Sequence, residues 1–272
     1  MRLLRRTLHW LRHWVPFAAR TVFYGSISLL IGPFSKDRRA CLWAMRAWSR
    51  SGLRFLHISI DLQGLENLPK GCYAYASNHQ SLLDALVLGA TLPGDIKWAV
   101  KSSLMAIPFL GWHLWLAGHV RVEKNVRKKA AAAAVRRFTQ VLSEAKPLLV
   151  FPEGTRSKDG QVKAFRMGLF YAAVRAGVPV VPVALHGTGV AMADIESRRS
   201  GRRDARHVYV RIGEPLAPRQ DGSESTRAED LRDRTRSAVM EMHRALVAAE
   251  SAGSLPREPT EGRGAGSHGT WS

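Results

Sequence analysis

The stretch CYAYASNHQSLLDALVLGATL, residues 72–92, contains the change of pattern that decides the fold. Its first part, CYAYAS, carries no charge and has the length of a short buried strand. Its second part, SLLDALVLGATL, is rich in leucine and alanine, which favour a helix. A strand followed at once by a helix is the repeating unit of an α/β domain, and such domains place functional side chains where the strand ends.

The same alternation continues on both sides of this stretch. Further strands are predicted at HISIDLQ, IKWAVK, HVRVE, PLLVFP, VPVVPVAL and HVYVRIGEPL, with helical segments between and after them. Strands that alternate with helices predict an α/β domain, which we assign to residues 58–250. The last residues, 251–272, are rich in Gly, Pro and Ser, and this composition predicts a disordered tail.

The charge balance narrows the class of partner. The 272 residues include 41 Lys or Arg and 22 Asp or Glu, a formal net charge of +19. Such an excess favours an anionic partner, which can be nucleic acid, an anionic membrane surface or a phosphorylated substrate. Two cysteines, Cys41 and Cys72, are too few for a disulfide framework and suit a reducing, cytosolic environment. No metal-binding motif is found, so no metal is expected.

The N-terminal residues 1–57 differ in character from the rest of the chain. Residues 1–60 contain eleven Lys or Arg and a single acid, Asp37, interleaved with large apolar side chains. The longest run without a charge is 21–35, whereas a spanning helix needs about 20 residues. The pattern therefore predicts basic amphipathic helices that lie in the membrane surface. The alternative is an ordinary helical pair that packs on the domain.

His79 and Asp84 lie five residues apart, next to the predicted strand end. If the helix starts near Ser81, Asp84 can fold back and hydrogen-bond the imidazole, which would make His79 a better general base. Ser81 and Asp84 also fit a capping box, in which the acid only closes the start of the helix. The local pattern does not decide between these two interpretations.

A second candidate is FPEGTRS, residues 151–157, which follows the strand PLLV. Gly154 allows a ligand to approach the backbone closely, and Arg156 offers a planar fork for phosphate or carboxylate. Taken alone, this segment is more typical of a surface loop. The P-loop pattern GxxxxGK[ST] is absent from the sequence.

Several motifs together resemble one known family. NHQSLLD fits N-H-x-x-x-x-D and is followed by FPEGTRS, both signatures of the lysophosphatidate (1-acyl-sn-glycerol-3-phosphate) acyltransferases. KSSLMAIPFLGW, GHVRVEK and VPVVPVAL resemble other segments of that family, in the same order, so that the likeness spans residues 60–215. GHVRVEK departs from its motif because Arg121 replaces an apolar residue and Lys124 stands where Arg is usual.

The resemblance implies a mixed, largely parallel central sheet flanked by helices, and a transfer of an acyl group. In this family the histidine, here His79, is a general base that the aspartate, here Asp84, orients. The base takes a proton from the hydroxyl of a lysophospholipid acceptor, which then attacks the thioester of acyl-CoA or acyl-carrier protein. The acceptor supplies the nucleophile, which agrees with the lack of a GxSxG motif.

The resemblance further implies phosphatidic acid as the product, with no cofactor beyond the acyl donor. Anionic membrane lipids are expected partners, nucleic acid is not, and the expected location is the cytoplasmic face of the cell membrane. By analogy the residues that bind substrate are Lys101, Lys124, Glu153, Gly154, Thr155 and Arg156.

The location of the acyl-chain site and the identity of the acceptor stay open at this point. The apolar segment 104–116 can be core or the wall of an acyl-chain groove, with equal support. The strand 178–185 is expected to be buried along an acyl site, with Pro182 at a strand edge or bulge. The acceptor can also be another lysolipid or hydroxyl compound, and the charge runs alone would fit a non-catalytic protein that binds membrane or nucleic acid.

Overall fold

A computed structural model describes residues 2–123, 128–197 and 206–255. The helices are α1 (Arg2–Ile31), α2 (Arg39–Phe55), α3 (Leu83–Thr91), α4 (Leu110–Leu116), α5 (Lys128–Ser143), α6 (Gly168–Ala176), α7 (Thr188–Ser197) and α8 (Glu224–Ser251). The strands are β1 (Ile58–Gln63), β2 (Ala74–Ser77), β3 (Lys97–Lys101), β4 (Val120–Val122), β5 (Leu148–Val150), β6 (Val180–His186) and β7 (Arg206–Ile212). Residues 256–272, most of the predicted tail, lie outside the described residues.

The strands form one seven-stranded sheet in the order β1-β7-β6-β2-β5-β3-β4. Neighbouring strands are parallel except β6 and β7, which are antiparallel. The central strands β2, β5 and β6 are buried along their whole length. Helices cover both faces of a sheet of this kind, so its central strands lose contact with water on both sides. The predicted mixed, largely parallel sheet is confirmed.

The topology brings three strand ends together. In the register, Ala76 of β2 lies opposite Val150 of β5 on one side and Pro182 of β6 on the other. Because these strands are parallel, their carboxyl ends meet at the same edge of the sheet. The segments that carry His79 and Glu153 leave the sheet at this edge, which is where open α/β sheets bind ligands.

Strand β6 has its proline at a bulge, as one of the two expected positions, but an unpredicted helix follows this strand. Pro182 lies opposite a bulge. Val183 pairs with Ile212 and Val180 with Leu216, so β6 advances three residues where its partner advances four. A proline fits there because it has no N–H to donate to a regular ladder. Helix α7 was not predicted from the sequence.

The N-terminal helices pack against each other, and they also contact α3 and α4 of the domain. Within α1 and the turn after it, Leu11–Phe34 is long and apolar enough to cross a membrane, with a mean hydropathy of 1.3 and only 17% of the segment buried. By length and composition alone this is weak evidence, because signal sequences near an N-terminus share both properties. Large apolar side chains stay exposed on this part of the molecule, notably Phe23, Phe34, Trp43, Trp112 and Trp115.

Candidate active site

The start of α3 joins His79 to Asp84. Oδ2 of Asp84 lies 2.7 Å from His79 Nδ1 and also accepts hydrogen bonds from the backbone N–H groups of Gln80 at 2.7 Å and Ser81 at 3.0 Å. The carboxylate has no exposed surface, whereas the imidazole is 20% exposed. One oxygen of Asp84 therefore both closes the start of the helix and orients His79. The capping box and the contact with the imidazole are thus compatible.

Asn78, the first residue of the NHQSLLD motif, fixes the other side of the turn that carries His79. Its side-chain amide donates to the carbonyl of Leu185 at 2.9 Å and accepts from the N–H of the same residue at 2.7 Å. These two bonds extend the pairing of β2 with β6 by one side chain. The sequence analysis missed this role because the partner lies 107 positions away.

The FPEGTRS loop holds His79 from three directions. Glu153 Oε1 accepts a hydrogen bond from the N–H of His79 at 3.1 Å, and the N–H of Ser157 donates to the carbonyl of His79 at 2.7 Å. The Phe151 ring stacks on the imidazole, with ring centroids 4.2 Å apart and planes 16° from parallel. The two signature motifs therefore form a single site, although more than 70 residues separate them.

The residues of this loop divide into an inner and an outer set. Glu153 is buried, at 4% exposure, and burial raises the pKa of its carboxyl group, an effect that the hydrogen bond from His79 opposes. Gly154, Thr155 and Arg156 are exposed. Glu153 thus has a contact that the sequence did not predict, whereas the three outer residues are open to a ligand.

Gly154 brings a further cation to the loop. Its φ of +69° favours glycine, and a Cβ atom would lie 2.6 Å from Nε of Arg166, whose guanidinium group covers this position. Arg166 is exposed, and its backbone N–H donates to the carbonyl of Pro152 at 2.8 Å. The sequence analysis missed Arg166, and only the contact with the signature loop singles it out.

The two lysines that were predicted to bind substrate, Lys101 and Lys124, have different outcomes. Lys101 ends β3 and is exposed at the same edge of the sheet as His79. Lys124 lies outside the described residues. Arg121, one of the two departures from the second motif, is exposed and forms an ion pair with Glu123 at 2.8 Å.

An apolar cavity of about 290 Å³ lies between the N-terminal helices and the domain. Its walls come from α1, α2, α3, α7 and the segment 98–114, and include Phe17, Trp48, Ala85, Leu86, Leu110 and Leu114. Trp112 and Trp115 are exposed instead. Of the two interpretations of residues 104–116, the structure thus favours the groove wall, while β6 does not contribute to this cavity.

His113 of α4 is one of the polar residues in the cavity wall. Nδ1 of His113 and the hydroxyl of Ser28 are hydrogen-bonded at 2.7 Å, and this contact joins α4 to α1. Burial lowers the pKa of His113 to about 4, so the imidazole is neutral at pH 7. His113 therefore adds no charge to the cavity wall at this pH.

Comparison with known proteins identifies the class. The profile of the Acyltransferase family matches residues 59–186, the segment that contains both signature motifs. The crystal structure of the 1-acyl-sn-glycerophosphate acyltransferase PlsC from Thermotoga maritima superposes with a TM-score of 0.70 at 29% sequence identity, covering 91% of this chain and 98% of that one. Residues 59–186 therefore form an acyltransferase domain.

Curated relatives indicate which acyltransferases the chain is similar to. A 1-acyl-sn-glycerol-3-phosphate acyltransferase of Saccharomyces cerevisiae is 30% identical over 198 residues, 72% of this chain and 64% of the relative. A chloroplastic enzyme of the same name from Brassica napus is 40% identical over 135 residues, 48% of this chain and 38% of the relative. The chain belongs to this acyltransferase family, and the predicted family is confirmed. It spans no more than about half the length of three of the curated relatives that it matches.

Proposed function

We propose that this protein transfers a fatty acyl group from a thioester donor to the free hydroxyl of a lysophospholipid, most directly 1-acyl-sn-glycerol-3-phosphate, to give phosphatidic acid. The observation that carries the proposal is the pair of His79 and Asp84, held by Glu153 and Ser157, with the imidazole partly exposed. The names of the relatives support the choice of acceptor.

In the proposed reaction His79 acts through Nε2, because Asp84 occupies Nδ1. Nε2 takes the proton of the acceptor hydroxyl while the oxygen attacks the thioester carbonyl. The tetrahedral intermediate then collapses, the carbon–sulfur bond breaks, and the imidazolium returns the proton to the departing thiolate. Asp84 stabilises the imidazolium and holds its orientation. Because the acceptor oxygen itself attacks the thioester, no acyl-enzyme is formed.

The acceptor phosphate requires cations close to this base. We assign it to the exposed cations Arg156 and Lys101, and we add Arg166, whose guanidinium group lies on Gly154. A guanidinium group binds phosphate oxygens in a fork, which orients the acceptor as well as attracting it. The donor chain is assigned to the apolar cavity, and the donor is acyl-CoA or acyl-carrier protein.

The test is an acceptor screen with purified protein, both donors and mass spectrometry of the lipid product. The expected result is phosphatidic acid from lysophosphatidate, with weaker transfer to the same glycerolipid without its phosphate. Equal transfer to both acceptors would contradict the phosphate site, and transfer to a different lysolipid alone would change the assigned acceptor. Absence of transfer from either donor would instead favour the non-catalytic binding function.

We further propose that the N-terminal helices attach the protein to the cytoplasmic face of the cell membrane without crossing it. Phe34, in the turn after α1, and Trp115, on the adjacent helix α4, are exposed aromatic residues that suit a lipid surface. Exposed basic residues of α1 and α2 suit its anionic charge, and they include Arg12, Arg39, Arg50 and Arg54. Phe34→Ser and Trp115→Ser should each weaken co-sedimentation with anionic vesicles, whereas Val190→Ser, an exposed apolar control on α7, should not. Equal binding of all three variants would contradict this surface.

A further inference from the structure

A cluster of polar side chains lies behind the catalytic turn and has no part in the proposed chemistry. His186 ends β6, and His243 comes from the middle of α8. Both imidazoles are largely buried, at 9% and 5% exposure, and their ring centroids are 5.4 Å apart. Nε2 of His186 is also 2.8 Å from the carboxylate of Glu250. Buried imidazoles are costly unless their nitrogens have partners, so their contacts are informative.

His243 contacts the residue next to the catalytic base. The side-chain nitrogen of Gln80 lies 2.9 Å from His243 Nε2 and 3.4 Å from the carbonyl of Gly160. The Gln80 oxygen faces the hydroxyl of Thr188 at 3.5 Å. A carbonyl only accepts hydrogen bonds and a hydroxyl can donate, so this orientation of the amide satisfies both of its ends.

The direction of the bond fixes the state of His243. Because the Gln80 amide nitrogen is a donor, Nε2 of His243 has to accept, and the imidazole is neutral with its proton on Nδ1. Burial lowers the pKa of His243, and the neighbouring His186 lowers it further, so the surroundings favour this neutral form. The geometry and the electrostatic environment therefore agree.

Gln80 also touches the catalytic pair through its backbone. Its N–H donates to Asp84 Oδ2 at 2.7 Å, the same oxygen that lies 2.7 Å from His79 Nδ1. One residue thus connects α8, the loop at Gly160 and the carboxylate that orients the base. A shift of Gln80 would move a hydrogen-bond donor away from that oxygen and change the angle of the imidazole.

We propose that His243 is a positioning residue: by accepting a hydrogen bond from Gln80, it holds the turn in which Asp84 aligns His79. The role rests on the proposed acyl transfer, and it extends the site to a helix that carries none of the signature motifs. It requires no contact between His243 and substrate. Its loss should therefore lower kcat and leave KM for donor and acceptor nearly unchanged.

A double-mutant cycle on kcat tests the contact. Gln80→Leu and His243→Phe each remove it, and each should lower kcat about tenfold, because a small displacement of a catalytic group is costly. The double variant should be no slower than the slower single variant, since both substitutions break the same bond. Thr235→Val changes another buried polar residue of α8, which bonds only within its own helix, and should keep wild-type kcat.

A conservative variant separates positioning from folding. In His243→Gln the amide oxygen can still accept from Gln80, so kcat should stay within about threefold of wild type, a loss no larger than one weakened hydrogen bond. Free energies of unfolding, measured for every variant, show whether a low kcat reflects unfolded protein.

Three results would overturn the role of His243. These are unchanged kcat in His243→Phe, a double variant slowed by the product of the two single effects, or a loss in His243→Gln equal to that in His243→Phe. If the wild-type protein transfers no acyl group, the proposed function fails and the positioning role fails with it. An active wild type with independent single effects overturns the positioning role alone.

Discussion

The edge of the sheet where we place the proposed catalysis and the apolar cavity beside it are built in opposite ways. At the edge, His79, Asp84 and Glu153 are joined by directed contacts of 2.7 to 3.1 Å. The cavity offers about 290 Å³ bounded mainly by carbon atoms. Acid–base chemistry depends on angles and distances, whereas a hydrocarbon chain needs only volume and the exclusion of water. Substitutions should therefore abolish activity at the edge and change selectivity at the cavity.

The largest effect is expected from His79→Ala, which removes the proposed general base. Transfer to lysophosphatidate should fall by about two to four orders of magnitude in kcat, the usual contribution of such a base. Product formation with saturating donor and acceptor is the measurement. His57→Asn, which alters an exposed histidine outside the site, is the control and should be fully active. Wild-type transfer by His79→Ala would remove the catalytic role of His79.

Substitutions of Glu153 test whether activity depends on the alignment of His79. Glu153→Leu deletes the acceptor for the His79 N–H and should lower kcat about a hundredfold, the scale of a misplacement of 1 Å. Glu153→Gln keeps an oxygen at that position, and because burial already disfavours the charged form of Glu153, it should stay within about threefold of wild type. If the two variants were equally slow, the charge of Glu153 would matter more than its hydrogen bond.

His113 gives the cavity wall its own pH dependence. Its pKa is lowered to about 4 in the folded protein, so the folded state binds this proton less readily than the unfolded state does. The contribution to stability is present above pH 6.5 and decreases as the pH falls through 6.5 towards 4. Between pH 7 and pH 5 the loss should be about 1.8 kcal/mol, a factor of about 20 in the unfolding constant.

The comparison that isolates this effect is His113→Gln, which can still bond Ser28 but does not titrate. Denaturant unfolding at both pH values should show a smaller loss in the variant than in the wild type. His119, which is also buried nearby, is present in both proteins. Equal losses in the two proteins would show that His113 is not the source.

The smallest effect is expected from Ala85→Leu, which fills part of the cavity without touching the catalytic pair. Transfer from long-chain donors should fall about tenfold relative to short-chain donors, because the lost volume excludes the end of a long chain. The measurement is kcat/KM over a series of acyl-CoA lengths. Ala248→Leu, on the exposed face of α8, should leave the length profile unchanged. A uniform loss at every length would indicate a disturbed catalytic edge instead.

The sequence predicted much of the fold, because local patterns carry that information. Strand and helix alternation indicated the α/β class, and the run CYAYAS before SNHQ located the turn with His79. Helix α7 was missed, since it follows β6 directly and shows only a weak amphipathic pattern. The positions of Asn78, Arg166 and His243 could not be inferred, because each acts on a partner distant in the chain.

By itself the sequence determined the two signature motifs, the family they indicate and the basic, apolar character of the N-terminal helices. The tertiary structure alone decided that Glu153 faces inward onto His79, that part of the segment 104–116 lines a cavity, and that α8 reaches the turn next to His79 through His243. The reason is physical. A motif specifies which groups are present, but their hydrogen-bond partners and burial arise only when β2, β5 and β6 are placed side by side.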